Sequence, residues 1–196
     1  MADYNANIAP FINQTFYVTS EFWEPRSDGQ GGTRYHKGLD IAVPMETATT
    51  DVYMYSMCNG TCIYRGYDAD GYGNYFILKD SVTGLGFLYA HERIPNWPPI
   101  IDEGDNVVIG QAVGLQGSTG ASTGPHLHLE MQDISQRSWR YNGNFEDYIN
   151  PAEWMGFPNT EGISVFYDGV PIFPPEEKKR GFPWVLYARK LRNNRF

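Results

Sequence analysis

No stretch of this chain before Pro151 repeats its apolar residues at helical spacing. That constrains the fold more than any other feature, because a helix must present an apolar stripe with a period near 3.6 residues to hold its place on a core. Apolar, aromatic and β-branched residues cluster instead in short runs, at 16–18, 41–43, 52–57, 62–64, 75–78, 87–90, 107–109, 112–116 and 126–131. Asn-Gly, Asp-Gly, Thr-Gly and Glu-Gly-Asp turn signals separate them, and such punctuation suits strands joined by tight turns. With 21 Gly, 13 Pro, 14 Tyr and 11 Phe in 196 residues, the composition favours the same reading. The expected fold is all-β, an antiparallel core with a substrate groove and little helix beyond one short turn at PAEWMG. One principal domain is expected at this length. Internal repeats, low-complexity tracts and membrane-length apolar runs are absent.

The four histidines fall into three short motifs: His36 in HKGLD, His91 in YAHE, and His126 with His128 in GPHLHLE. Separations within the motifs are even, four residues from His36 to Asp40 and two from His126 to His128. On strands, even separations place side chains on one face. His126, His128 and Glu130 then line a groove while Leu127 and Leu129 enter the core. Imidazole nitrogens with a carboxylate oxygen, and a position left for water, make the donor set of a catalytic zinc site; closed structural sites lean on cysteine. Glu130 on the histidine face either orients a ligand as a hydrogen-bond acceptor or is an exposed carboxylate.

HKGLDIAVP, then YAH, then EGDNVVIGQAVGLQGSTGASTGPHLHLE resemble the lysostaphin-type zinc endopeptidases, which cleave peptide bonds in bacterial peptidoglycan. The similarity runs from about Thr19 to Ala152 and takes in NGTCIYRG and GYGNYFIL. Carried over residue by residue, the resemblance implies one zinc ion held by His36, Asp40 and His128. It makes His91 and His126 the non-ligating catalytic pair. One would move a proton between water and the leaving amine, the other would stabilise the tetrahedral intermediate, and sequence does not divide these roles. Some relatives carry a stabilising tyrosine several residues before the first ligand, where this chain reads SDGQGGTR. Tyr35, next to His36, is expected on the opposite face of a strand and is not assigned that role. Two alternatives stand beside a zinc endopeptidase. A pseudoenzyme that binds without cleaving would be expected to have lost ligands, and all five residues are present. A zinc D-alanine carboxypeptidase would carry a longer first gap and a Glu-containing second motif.

The three divisions expected are a lead-in at 1–18, a catalytic domain at 19–160 and a Pro-rich, aromatic and basic extension at 161–196. Residues 1–160 hold 8 Lys and Arg against 19 Asp and Glu, a net of −11, and residues 161–196 hold 7 against 4, a net of +3. The extension is expected to pack as a strap, or to dock a partner chain or wall surface, with a short basic helix opening at Pro183. An overall charge of −8 argues against nucleic acid as a partner, since phosphate binding wants a basic surface. The first residues, MADYNANIAPFINQTF, have neither the basic start nor the apolar run of a secretory signal. For an enzyme acting on the wall outside the bacterial membrane, that implies bacteriophage delivery, as a lysin or tail component, or a signal not included here. Cys58 and Cys62 bracket Asn-Gly-Thr, and a three-residue hairpin there would set them opposite one another; a disulfide and two reduced thiols are both open.

Overall fold

A computed structural model describes residues 1–47, 50–94 and 99–172. The strands in chain order are β1 (Tyr4–Asn5), β2 (Thr15–Ser20), β3 (Pro25–Ser27), β4 (Thr33–Tyr35), β5 (Leu39–Ala42), β6 (Tyr53–Tyr55) and β7 (Gly60–Asp68). There follow β8 (Gly73–Asp80), β9 (Leu85–Ala90), β10 (Asn106–Val107), β11 (Ala112–Leu115), β12 (Leu127–Asp133) and β13 (Ser164–Phe166). One sheet takes nine of them in the order β1-β13-β2-β5-β12-β9-β8-β7-β10, and β11-β6 and β3-β4 form separate pairs. All nine runs of the sequence meet a strand. The fold is all-β as expected, and pairing within the sheet is antiparallel except at one edge, where β1 runs parallel to β13. The single α-helix among the described residues, α1 (Pro151–Met155), is the turn expected at PAEWMG. Asn150 caps it by accepting from Ala152 N, and Gly156 ends it at φ 94°, a left-handed position that glycine adopts without strain.

Turn chemistry explains the tight antiparallel connections. Between β8 and β9, Asp80 Oδ1 accepts from Val82 N, Thr83 N and Thr83 Oγ1 at 3.1, 2.7 and 2.8 Å. Gly84 closes that turn at φ 74°. A carboxylate that satisfies several turn donors fixes the register of the strands on either side.

Alternation along β12 separates two faces. Leu127, Leu129 and Met131 are fully buried and join Phe16, Leu39, Ile41, Phe76, Leu78, Phe87 and Tyr89 in the main core. Each such leucine contributes about 2–3 kcal/mol by leaving water. Tyr75, Ile77, Leu88 and Ala90 form a smaller cluster under Tyr72 and Trp139. Behind the sheet, Glu92 is buried against Arg65 in a two-pronged ion pair at 2.5 and 3.0 Å, and the guanidinium lies 5.1 Å from the centre of the Phe76 ring. A buried pair of this kind is held by geometry more than by net gain, and it anchors the chain immediately after His91.

Some expectations meet a different arrangement. Strand β2 straddles the boundary drawn at residue 19, and Phe11 and Phe16 of the lead-in are core residues. Strand β13 lies beyond the boundary at 160 and pairs with β2, and Ile172 bridges Gln111. The segment 183–196, read as a short basic helix, lies outside the described residues. The hairpin expected around Asn59-Gly60 does not form: β6 pairs with β11 and β7 with β8 and β10, so Cys58 and Cys62 are not partners across one ladder. Both are free, buried thiols, and burial raises them to about 11 and about 12.

Candidate metal centre and groove

The sheet order brings the motifs together. Strand β12 lies between β5 and β9, with His128 opposite Asp40 on one side and opposite Ala90 on the other. Residues far apart in sequence therefore meet along one line across three strands, and His91 follows directly after β9. His36, read above as a strand residue on the face of Asp40, instead lies before β5, where the chain bends through Lys37 and Gly38. The two side chains meet because of that bend. A Cβ on Gly38 would sit 2.6 Å from the Cε1 and Nε2 atoms of His128 and 2.8 Å from the Leu129 carbonyl, so only glycine fits beside the imidazole.

Three ligand atoms close a small triangle. His36 Nε2 lies 3.1 Å from Asp40 Oδ1 and 3.0 Å from His128 Nδ1, and His128 Nδ1 lies 2.8 Å from Asp40 Oδ1. All three residues are buried. A tetrahedral ion with bonds of about 2.0–2.2 Å spaces its ligands by roughly 3.3–3.6 Å, so this donor set fits one such ion after a shift of a few tenths of an ångström. Asp40 turns its other oxygen toward Arg26, whose Nη2 is 3.7 Å away, which leaves one carboxylate oxygen for the triangle.

Each imidazole has its remaining nitrogen committed elsewhere, and that sets its tautomer. His36 Nδ1–H donates to the Glu21 carbonyl at 2.7 Å. His128 faces the opposite way, with Nε2 3.1 Å from Glu130 Oε1. Glu130 is therefore the orienting acceptor, buried and also receiving the Tyr72 hydroxyl at 2.7 Å. His91 Nδ1–H donates to the Thr119 carbonyl and His126 Nδ1–H to that of Gly124, both at 2.8 Å. Their Nε2 atoms remain for the groove: His126 Nε2 is 3.6 Å from Asp40 Oδ1, and the rings of His91 and His126 lie 4.6 Å apart.

His91 holds a left-handed backbone conformation, φ 62°, which costs a residue other than glycine of order 1 kcal/mol or more. Its neighbours over-determine it. His91 N donates to Tyr72 O at 2.8 Å and Glu92 N to Asn74 O at 3.0 Å, and Thr119 Oγ1 donates to Glu92 O at 3.0 Å. Burial lowers the His91 pKa to about 4, helped by the charge of His128. Burial also lowers His36. Burial opposes ionisation of Asp40, but hydrogen bonds from His128 and His36 outweigh it and hold the carboxyl well below its usual range. Burial works against a charged His128 too, and there Asp40 and Glu130 win, raising it to about 9. A cation bound among these atoms competes with that proton.

The cluster forms the floor of a groove of about 780 Å³. The groove is lined by Trp23, Arg34, Tyr35 and Lys37 together with Asp70, Gly71, Tyr72 and residues 121–123. Tyr35, expected on the face turned away, lines the groove with its ring stacked 5.4 Å from that of Trp23. The structure brings His36, Asp40, His91, His126 and His128 into this one place. Sequence reasoning did not find Arg26 or Thr119, which carry no motif of their own. Gly38 and Tyr72 sit inside quoted motifs, and the glycine between two ligand candidates was the available signal.

Residues 34–143, just over half of the chain, match the sequence model of Peptidase family M23, and the chain belongs to that family. Among its relatives, the DD-carboxypeptidase/endopeptidase Mpg of Neisseria meningitidis serogroup B (strain ATCC 13091 / M2091) is 35% identical over 97 residues, covering 50% of this chain and 20% of Mpg. The chain thus aligns with about a fifth of the length of that relative. A zinc-containing peptidase from Vibrio cholerae superposes with a TM-score of 0.53 at 27% identity, over 67% of this chain and 36% of the other. The catalytic domain of lysostaphin from Staphylococcus simulans has the same fold, with a TM-score of 0.52 at 23% identity over 72% of this chain and 91% of that domain.

Proposed function

We propose that the chain is a zinc-dependent endopeptidase that hydrolyses peptide bonds of bacterial peptidoglycan, with His36, Asp40 and His128 as ligands and His91 and His126 as the catalytic pair. The observation that carries this reading is the triangle of donor atoms, 2.8 to 3.1 Å on its edges, flanked by two imidazoles with free Nε2 atoms in an open groove. Zinc, when bound, brings the pKa of its water to about 7 and polarises the scissile carbonyl. The protein's own groups do the rest. His91 and His126, tautomers set by backbone carbonyls, present one basic nitrogen each. One accepts the proton of the attacking water and passes it to the leaving amine, and the other donates to the oxygen on which negative charge develops. The buried floor strengthens both interactions by limiting solvent around them.

The family, the Mpg relative and the zinc-containing structural neighbour support this reading. Digestion of purified cell walls with the zinc-loaded protein should release fragments with new amino termini inside the peptide network, read by mass spectrometry. Release of free D-alanine without internal cleavage would favour a carboxypeptidase, and no release from any wall type would reject the peptidoglycan assignment.

Glu130 orients His128, and Glu130→Gln is expected to weaken zinc binding by about 10- to 100-fold, the usual effect of altering such a partner. Competition with a chromogenic chelator measures this directly. Unchanged affinity would mean that His128 is held in place by packing alone.

A further inference from the structure

The groove carries two cations that the hydrolytic chemistry does not use. In a chain of net charge −8, Arg34 and Lys37 line it. Arg34 is exposed, and its Nε donates to the Ser27 carbonyl at 3.4 Å. Lys37 Nζ donates to the Tyr141 carbonyl at 2.6 Å and to Asn142 Oδ1 at 3.2 Å. These acceptors are neutral, and among the described residues neither side chain forms an ion pair. Arg26 is different: it is paired with Glu24 at 3.3 Å and faces Asp40. The groove is also lined by Asp70 and Gly71, in the turn between β7 and β8, and by Ala121, whose N–H donates to the Gly71 carbonyl at 2.9 Å.

Lys37 directly follows His36 and lines the same groove as the histidines and Asp40. Trp23 and Tyr35, stacked nearly parallel at 10°, line the same groove and give it a flat apolar surface. An anionic ligand group gains from two cations that have no carboxylate to give up. Resting on the peptidoglycan reading above, we propose that the groove selects peptides with a free carboxylate close to the scissile bond, the carboxylate lying against Lys37 and Arg34. A bridge made only of glycine has no such group and leaves both cations unused. Lys37 and Arg34 are then specificity residues, with no part in the chemical step. Because Lys37 is a point charge on a flexible stem and Arg34 a planar fork, either one alone retains part of the preference.

The test uses two cross-linked stem-peptide dimers, identical except that one has free carboxylates and the other has them amidated. Hydrolysis gives kcat and KM, and calorimetry with the His91→Ala protein gives Kd without turnover. The free-carboxylate dimer should have a KM and a Kd lower by about tenfold, as expected for charge-assisted contacts that remain partly solvated. That margin should shrink as salt is raised. In the Lys37→Met/Arg34→Gln protein the two dimers should become equivalent, with kcat for the amidated dimer unchanged. Equal KM and Kd for both dimers with the unaltered groove would overturn the proposal, as would a preference that survives the double substitution. If neither dimer is cleaved while purified walls are, the carboxylate preference fails and the peptidoglycan reading stands; if no wall type is cleaved either, the peptidoglycan reading itself fails; cleavage of both dimers at equal efficiency rejects only the carboxylate preference.

Discussion

Replacing His128 by alanine is expected to remove the bound zinc and to lower hydrolysis by about a thousandfold or more, equivalent to losing several kcal/mol of Lewis-acid stabilisation. The physical case rests on geometry. His128 Nδ1 is one corner of the donor triangle, and its other nitrogen is turned away to Glu130. With that corner gone, one imidazole and one carboxylate remain, too few to hold the ion tightly. His128 also stands on the central strand with little exposure, so alanine leaves a small void; His128→Gln, closer in volume, separates loss of the ligand from loss of fold. Elemental analysis and thermal melting of both variants read the two effects independently. A folded His128→Ala protein that still carries one tightly bound zinc per chain would contradict the ligand assignment.

His91→Ala and His126→Ala are expected to keep the zinc and yet lose about 10²- to 10⁴-fold in kcat, the range for a positioned acid–base group. Neither ring belongs to the donor triangle, and each has its Nδ1 engaged by a carbonyl. His91 needs a control because of its backbone. At φ 62° alanine is strained, whereas asparagine tolerates the left-handed region. His91→Asn should therefore melt closer to the parent than His91→Ala while being equally inactive. Near-normal turnover in a zinc-loaded variant of either histidine would reject its catalytic role. Loss of zinc would move that histidine into the ligand set.

Much of this molecule was legible before any coordinates. The nine apolar runs correspond to strands because alternation on a pleated sheet is a local property, encoded by neighbours two residues apart. Leu127 and Leu129 enter the core and His128 and Glu130 turn away from it, as their alternation required. The short strands escaped notice for the same reason in reverse. Strands β3 and β4 are three residues each, and β1 is two, too brief to show a period.

Other features depend on distant parts of the chain. The hairpin expected at Asn59-Gly60 gave way because β6 found its partner in β11 and β7 in β8, a choice settled by total burial and not by one turn. The bend at Gly38 exists to admit His128, which arrives from ninety residues later. Trp23, Arg34, Tyr35 and Lys37 line one groove with the histidines only once the tertiary fold has formed.

What the sequence determined by itself was chemical identity and local direction: which residues can bind a metal or move a proton, and which side of a strand each one occupies. Tertiary structure alone decided which nitrogen of each histidine faces the floor, since the carbonyls of Glu21, Thr119 and Gly124 and the carboxylate of Glu130 take the other. It also decided the left-handed backbone of His91 and the presence of Arg34 and Lys37 in the groove lining. The physical reason is reach. Periodicity and propensity act over a few residues, whereas tautomers, strain and electrostatic balance are set by whatever atoms the finished sheet brings within about 3 Å of one another.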